Sequence, residues 1–271
     1  MLETVVSLLR TFSESDEVLR RSKTGAVIAA GGSGSRMGGD VPKQLLALDG
    51  IPVGMRSLLA FERCAYISEI VLVSRREDIP TWERLCAEYG VTRLRKVVAG
   101  GETRQKSVLR GFEALSPDVD FVAIHDAARC LITPDVILAV LRAAARYGGA
   151  SAASPARDSF KRATDKGFIA ETVERERLWC AQTPQIFRAD LYCAAAYIAR
   201  ERGLEATDDN ALAEAIGQPV KLVDTGVENL KITTPEDLAL ARAILHMRAE
   251  REESEEKEEQ EKSSGSRKDL A

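Results

Sequence analysis

The chain has 271 residues, of which 45% are hydrophobic and 30% charged, so it is long enough for one or two domains with a sizeable core. Nine acids and five bases from Glu250 to the C-terminus account for the whole net charge of −4, which leaves a neutral body and disfavours a nucleic-acid partner. We expect no membrane partner either, because the sequence lacks an apolar run of 18 residues and an apolar signal segment near its N-terminus.

Residues 1–22 predict a short, partly helical N-terminal extension. Beyond it, β-branched runs alternate with helical stretches as far as about residue 248. The predicted strands are 25–30, 69–74, 120–125, 150–155 and 220–224. The predicted helices are about 53–65, 79–89, 103–115, 134–147, 185–202, 208–216 and 235–248. This alternation predicts one α/β domain over residues 23–248, with a mainly parallel sheet and helices on both faces.

Capping signals support several of these helix ends. A threonine followed by a proline, typical of a helix start, occurs at Thr133-Pro134, Thr183-Pro184 and Thr234-Pro235. Gly148 and Gly217 occupy positions typical of C-terminal caps.

Two segments depart from the alternation. Residues 156–182 contain a DKG turn between two polar arms, which predicts a protruding hairpin that we call the β-arm. Residues 249–271 contain almost no apolar side chains, so we expect a charged, disordered tail.

The exit of the first predicted strand, residues 29–44, is rich in glycine and contains Arg36 and Lys43. Bare amides beside two cations suit a triphosphate. The segment is not a Walker A loop, because Asp40-Val41 replaces the Lys-Ser/Thr pair. It is not a dinucleotide fingerprint either, since Pro42 interrupts the expected helix, and this excludes a nicotinamide dehydrogenase.

Other polar residues follow later strands. Arg104 and Ser107 lie at a predicted helix start, where the helix dipole favours an anion or an electronegative base edge. Asp126 comes just beyond a buried strand, which predicts either a metal ligand or an ion pair with Arg129. Lys231 follows the last strand.

These groups comprise cations, bare amides and carboxylates, with only two histidines in the chain. Cations, backbone amides and carboxylates are the groups that phosphoryl-type transfer needs, because its catalysis is mostly positioning of the substrates and neutralisation of their charge. A phosphate monoester nucleophile is already ionised at neutral pH, so it needs no histidine base. The five cysteines show no CxxC spacing and favour a cytoplasmic protein over a disulfide-bonded one.

Seven ordered segments are AAGGSGSRMGGDVPKQ, GGETRQKSVLRG, HDAAR, TVERERLW, QTPQ, TDD and ENLKIT. Together they resemble the 2-C-methyl-D-erythritol 4-phosphate cytidylyltransferase family, which joins CTP to a methylerythritol phosphate in the non-mevalonate isoprenoid pathway. The resemblance implies a Rossmann-like, GT-A-like nucleotidyltransferase fold and a homodimer formed through the β-arm.

The resemblance also implies residue roles. Arg36 and Lys43 would stabilise the transition state, and Asp126 would hold Mg²⁺ beside the nucleotide, with Glu228 as a second candidate ligand. The nucleotide site would include Ala30, Gly31, Gly32, Gly34, Gly101 and Ser107. The polyol phosphate would be positioned by Arg129, Ser159, Thr183, Thr207 and Lys231, and by Arg175 from the partner subunit. Ser159 stands where the family often has threonine, and Glu228 where it often has aspartate.

Two alternatives remain at this point. Ribitol-5-phosphate cytidylyltransferases share the glycine loop, the PKQ segment and HDAAR, whereas TVERERLW and ENLKIT favour the methylerythritol enzymes. A non-catalytic nucleotide-binding protein on the same fold is disfavoured by Arg36, Lys43 and Asp126, because nucleotide sensing needs no transition-state cations.

Overall fold

A computed structural model describes residues 15–32 and 42–268 of the chain. The strands are β1 (Thr24–Ala29), β2 (Ala47–Leu48), β3 (Ile51–Pro52), β4 (Glu69–Ser74), β5 (Leu94–Ala99), β6 (Phe121–Asp126), β7 (Gly149–Pro155), β8 (Lys161–Ala163), β9 (Ile169–Thr172), β10 (Trp179–Arg188) and β11 (Lys221–Asp224). The described part of helix α1 is 15–21. The other helices are α2 (Val53–Arg63), α3 (Ile79–Glu88), α4 (Arg104–Glu113), α5 (Pro134–Tyr147), α6 (Ala189–Glu201), α7 (Asp209–Ala215) and α8 (Pro235–Lys268), with 3₁₀ turns at Lys43–Leu45 and Arg76–Asp78.

The main sheet has seven strands in the order β11-β7-β10-β6-β1-β4-β5 within the described residues. Strand β1 pairs in parallel with β4 and β6, β4 pairs in parallel with β5, and β11 pairs in parallel with β7. Only β10 runs antiparallel to its neighbours β6 and β7 in this sheet as described. The predicted mainly parallel α/β fold is therefore confirmed.

Alternating side chains of the sheet bury two apolar layers. Ala26 and Ile28 of β1 face a cluster that includes residues of α2, α3 and α5. Val27 faces the opposite cluster, which includes residues of α4, α6 and α7. Helices cover both faces of the sheet, which explains why β1 is continuously apolar after Thr24.

Helix α4 lies very close to the sheet at Gly111. A Cβ atom at this position would approach Val27 Cγ1 to 2.5 Å and Val73 Cγ2 to 2.6 Å, so only glycine fits without displacement. This close packing fixes α4, which carries Arg104 at its start, against the sheet.

Most predicted helices are observed, with Thr133 capping α5 through the Val136 N–H and Gly148 ending it in the left-handed region at φ 83°. The predicted helix over 185–202 is wrong in its first part, because Thr183 and Pro184 lie inside β10 and are joined by a cis peptide bond. Antiparallel pairing of β10 with two neighbours outweighs the local capping signal.

Two further elements, β5 and α8, differ from what the sequence predicts. Strand β5 was not predicted, since Arg95 and Lys96 interrupt its apolar pattern at the sheet edge. Helix α8 continues to Lys268, through the segment expected to be disordered. Its first turns there are held by the ion pair of Arg251 with Glu228.

In the β-arm, β8 and β9 pair antiparallel around a turn that contains Gly167. The arm exposes four large apolar side chains, Phe160, Phe168, Ile169 and Trp179. Across residues 15–32 and 42–268, none of the helices combines the length and apolarity needed to span a membrane.

Candidate active site

The parallel strands bring their carboxyl ends to one edge of the sheet. Asp126 ends β6, Gly31 and Gly32 follow β1, and Gly101 follows β5. The N–H of Ala30 donates to the Val73 carbonyl at 2.7 Å, which continues the β1–β4 ladder to the start of the glycine loop. Arg36 and Gly34 lie outside the described residues.

Asp126 is the buried centre of an ionic cluster. Lys231 Nζ lies 2.6 Å from its Oδ2, and Arg104 Nε lies 3.1 Å from its Oδ1. Burial disfavours the charged carboxyl, but the charges of Arg104 and Lys231 outweigh it and hold the pKa of Asp126 well below its ordinary value. Asp126 is therefore an anion at neutral pH. Its ion-pair partners are Lys231 and Arg104 and not Arg129, whose guanidinium donates to the Asn229 and Ala181 carbonyls instead, so the predicted pairing with Arg129 is wrong.

Arg104 connects this carboxylate with a second one. Its Nη1 lies 2.7 Å from Asp209 Oδ2, and Asp209 is only 1% exposed. The Tyr192 hydroxyl donates to the other Asp209 oxygen at 3.3 Å. Burial raises the pKa of Asp209, which has one cationic partner, whereas Asp126 has two. The guanidinium of Arg104 is thus shared, and its orientation toward Asp126 depends on Asp209.

Thr183 supports Asp126 from inside the protein. Its Oγ1 accepts the Asp126 N–H at 3.0 Å, so its own hydrogen is directed to His125 Nδ1, also at 3.0 Å. The Nε2–H of His125 then donates to the Arg129 carbonyl at 3.3 Å. Burial lowers the pKa of His125 to about 3, which keeps the ring neutral and the network fixed. The resemblance implies that Thr183 contacts substrate, but in this structure both hydrogen bonds of its hydroxyl are internal.

The loop between β11 and α8 carries Lys231 into the cluster. Lys43 Nζ donates to the Ile232 carbonyl at 2.7 Å, and Arg129 Nη1 donates to the Asn229 carbonyl at 2.9 Å. Burial lowers the pKa of Arg129, an effect that Asp126 partly offsets. Three cations predicted from separate strand exits therefore meet around one short loop and one carboxylate.

The start of α4 forms the adjacent wall. Thr103 caps the helix by accepting the Lys106 N–H. Ser107 Oγ accepts the Gly101 N–H at 2.9 Å and donates to the Thr103 carbonyl at 2.8 Å. These bonds shape the turn in which the resemblance places the cytosine.

The remaining predicted contacts lie outside this cluster. Ser159, Arg175 and Thr207 are exposed, and Arg175 donates to the Arg157 carbonyl at 2.6 Å. Among the described residues, neither the hydrogen bonds nor the ion pairs of Asp126 and Lys231 reach any of these three.

Glu228 differs from the prediction, because its carboxylate pairs with Arg248 at 2.8 Å and Arg251 at 2.9 Å instead of joining Asp126. In the part of the chain that the structure describes, no group of three potential ligands could hold a metal ion. A single hard carboxylate still fits Mg²⁺, which in nucleotide sites is bound mainly by phosphate oxygens and water. Both Asp126 and Glu228 pair with two cations, so their positions distinguish them: Asp126 ends β6 at the strand exits, whereas Glu228 lies against Arg248 and Arg251 of α8.

Two residues that the sequence analysis did not single out complete the cluster. Asp209 belongs to the TDD motif, in which Asp208 caps α7 by accepting the Ala211 N–H. Because Asp208 already caps the helix, the adjacent buried Asp209 needs a different partner, which is Arg104. Asn229 holds the Lys231 loop by donating to the Thr183 carbonyl at 2.8 Å.

Comparison with known proteins identifies the family. The family profile of 2-C-methyl-D-erythritol 4-phosphate cytidylyltransferase matches residues 24–247. A protein of that name from Pelotomaculum thermopropionicum is 44% identical over 230 residues, which cover 84% of this chain and 97% of the relative. The chain belongs to this family.

Solved structures agree with this assignment. The 2-C-methyl-D-erythritol 4-phosphate cytidylyltransferase of Thermus thermophilus is 32% identical, with a TM-score of 0.68 over 82% of this chain and 98% of that one. The 4-diphosphocytidyl-2C-methyl-D-erythritol synthase of Anaerococcus prevotii is 28% identical, with a TM-score of 0.75 over 84% and 98%. The resemblance inferred from seven motifs is therefore confirmed.

Proposed function

We propose that this chain transfers the cytidylyl group of CTP to 2-C-methyl-D-erythritol 4-phosphate, giving 4-diphosphocytidyl-2-C-methyl-D-erythritol and pyrophosphate. The observation that carries the proposal is the cluster around Asp126, in a chain that matches the family over residues 24–247. There Lys231, Arg129 and Lys43 approach one short loop at the carboxyl edge of the sheet. This is the charge distribution that the joining of two phosphates needs.

The reaction forms one bond and breaks another at the α-phosphorus of CTP. An oxygen of the polyol phosphate attacks the α-phosphorus, and the bond from that phosphorus to the oxygen shared with the β-phosphate breaks. The nucleophile is already ionised at neutral pH, so no side chain has to remove a proton. The neutral, fully buried His125 is consistent with a mechanism that needs no histidine base.

Charge neutralisation is the main task of the side chains. Lys43 is buried, and its place in the chain at the end of the glycine-rich segment suits stabilisation of the α-phosphoryl oxygens, where charge develops. Lys231 and Arg129 suit the phosphate of the polyol. Asp126 fixes the ammonium group of Lys231 through the 2.6 Å ion pair. Arg104 balances Asp126 on its other side.

Mg²⁺ fits beside Asp126. Bound there, the ion would neutralise phosphate charge and help to orient the triphosphate. Asp126 would supply its carboxylate, with Arg104 retained as the balancing cation. Glu228 is left out of this site because it lies against α8, paired with Arg248 and Arg251, and not at the carboxyl end of β6.

The β-arm supports a homodimer. Phe168 is 71% exposed and Ile169 67% exposed, and a two-stranded hairpin is only marginally stable without a partner surface. An exchange of arms between two copies would bury these side chains and bring Arg175 to the neighbouring site. All five cysteines are free, which suits the cytoplasm that we propose as its location.

Complementation tests the shared site. Arg175→Ala and Lys43→Ala proteins, each nearly inactive alone, should regain at most about a quarter of wild-type activity after subunit exchange, by counting intact sites under two-fold symmetry. No recovery, with exchange confirmed by mass spectrometry, would place Arg175 outside the partner's site. A monomer at micromolar concentration would exclude the composite site altogether.

The substrate assignment is tested by offering two acceptors. Purified protein with CTP and Mg²⁺ receives methylerythritol phosphate or ribitol 5-phosphate, and pyrophosphate release is followed. We expect release with the first acceptor and little with the second. The reverse preference would assign the chain to ribitol 5-phosphate, and CTP binding without release from either would indicate a non-catalytic nucleotide-binding protein.

A further inference from the structure

Two arginines of α8, Arg248 and Arg251, lie just beyond the family match, which ends at residue 247. We infer that they are positioning residues that hold the Lys231 loop, residues 225–231, in the geometry needed to bind the polyol phosphate. This inference rests on the proposed function of Lys231. The contact that carries it is the double ion pair of both arginines with Glu228.

The inner side of the loop is fixed by the core of the site. The Ile232 N–H donates to the Ala128 carbonyl at 2.8 Å, and its carbonyl accepts from Lys43. Asn229 Nδ2 donates to Gln182 Oε1 at 2.9 Å as well as to the Thr183 carbonyl. These bonds hold the backbone on both sides of Lys231 but leave the side facing α8 to other contacts.

The outer side is fixed by Glu228. Arg248 Nε lies 2.8 Å from one carboxylate oxygen, and Arg251 Nη2 lies 2.9 Å from the other. Both oxygens are thus engaged, and the pKa of Glu228 is lowered by these two hydrogen bonds, that of Arg251 first. Such charge-assisted bonds are stronger and more directional than neutral ones.

Arg248 also connects the loop with the segment that follows Asp126. Its Nη1 donates to the Leu131 carbonyl at 2.8 Å, two residues beyond Arg129. One side chain therefore binds both stretches of chain that carry the proposed phosphate ligands, Lys231 and Arg129. Changing it should alter the spacing of these two cations.

The fold itself does not depend on the two arginines. Ile232, Ala241 and Ile244 pack together in a separate apolar cluster with Leu230, and this contact also joins the loop to α8. Glu228 is 34% exposed and Arg251 57% exposed, so water partly replaces their contact when it is removed. The expected consequence is a looser loop in a folded protein.

The test uses the double variant Arg248→Ala/Arg251→Ala. A triple variant that also carries Glu228→Gln changes the other side of the same ion pairs. We expect the KM for methylerythritol phosphate to rise roughly three- to tenfold, the scale of losing two partly exposed ion pairs, with kcat and the KM for CTP nearly unchanged. Adding Glu228→Gln to the double variant should have little further effect, because coupled residues are not additive. If the double variant is destabilised, the exposed Arg251→Ala alone serves instead.

Arg242→Ala is the matched control. This arginine lies on the same helix and pairs with Asp49 at 2.8 Å, away from the Lys231 loop, so its loss should leave the KM unchanged. Amide hydrogen exchange of residues 225–231 without substrate gives a second readout, expected to be faster in Arg248→Ala/Arg251→Ala and unaltered in Arg242→Ala.

The outcomes separate the two proposals. Unchanged exchange and an unchanged KM would overturn the positioning role even if the wild type is fully active. A wild type inactive toward methylerythritol phosphate would overturn the proposed function, while the exchange measurement would still decide whether the arginines hold the loop.

Discussion

The shared guanidinium of Arg104 gives the sharpest energetic prediction. Arg104→Met retains an apolar stem but removes the ion pairs to Asp126 and Asp209. Asp126 keeps Lys231, whereas Asp209 keeps only the Tyr192 hydroxyl as a side-chain partner in the described structure. Removing one partner of a buried ion pair costs about 3–5 kcal/mol. Because Arg104 itself is 29% exposed, we expect the lower half of this range, about 3 kcal/mol.

The pH dependence of this loss has a definite sign. Without Arg104 the pKa of Asp209 should rise further in the folded protein, and a carboxyl with a raised folded pKa favours the folded state at low pH. Each pH unit below that pKa is worth about 1.4 kcal/mol until the unfolded value near 4 is reached. The difference in unfolding free energy between variant and wild type should therefore be smaller at pH 5 than at pH 7.

Urea unfolding at both pH values provides the assay. Arg104→Met/Asp209→Asn should recover at least half of the lost stability, because the asparagine removes the unpaired charge and still accepts from Tyr192. A loss below about 1 kcal/mol at pH 7, or no recovery in the double variant, would refute the view that Asp209 is held as the buried partner of Arg104.

The remaining predictions concern single residues. Lys43→Ala should lower kcat roughly 100-fold with a smaller change in CTP affinity, measured at saturating substrates, and near-normal turnover would remove it from the transition state. Chelation should abolish activity and Asp126→Asn should weaken the Mg²⁺ dependence; activity that survives thorough chelation would make Asp126 an ion-pair acid only. As the pH falls from 6.5 to 5, the unfolding free energy should decrease by roughly 1.5–2 kcal/mol through His125, because burial lowers its pKa to about 3 and only the unfolded state takes up the proton. The control variant His246→Gln, which changes an exposed histidine, should show the same decrease of unfolding free energy with pH. An unfolding free energy of the wild type that does not change between these pH values would contradict the prediction. Thr183→Val should cost about 2–5 kcal/mol by leaving two buried partners unsatisfied, and a similar loss in Thr183→Ser would show that the hydroxyl is not responsible.

The sequence predicted the architecture where local pattern and burial agree. Strands β1, β4 and β6 are continuous apolar runs because helices cover both faces, so their pattern is unambiguous. Strand β10 was missed because Thr183-Pro184 imitates a helix start, and only pairing with β6 and β7 decides otherwise. Pairing with strands that are distant in the sequence outweighs a local pattern of this kind, and a short stretch of sequence does not reveal such pairing.

The site could be predicted wherever a polar residue follows a parallel strand. Asp126 and Lys231 lie together at one edge of the sheet, because parallel strands share their exits. The partners of Glu228 were not predicted, because Arg248 is the last residue of the predicted helix and Arg251 lies beyond it, in the segment expected to be disordered. Asp209 was missed for a similar reason, as its partner Arg104 lies 105 residues earlier in the chain.

Isotope transfer tests the proposed reaction most directly. Methylerythritol phosphate carrying ¹⁸O in its phosphate group is incubated with CTP, Mg²⁺ and the purified protein, and the products are analysed by ³¹P NMR and mass spectrometry. Attack of the polyol phosphate on the α-phosphorus predicts ¹⁸O in the bridge of the new diphosphate and none in the released pyrophosphate. An unlabelled bridge, label in pyrophosphate, or no coupled product would contradict the assignment of this chain as a cytidylyltransferase acting on methylerythritol phosphate.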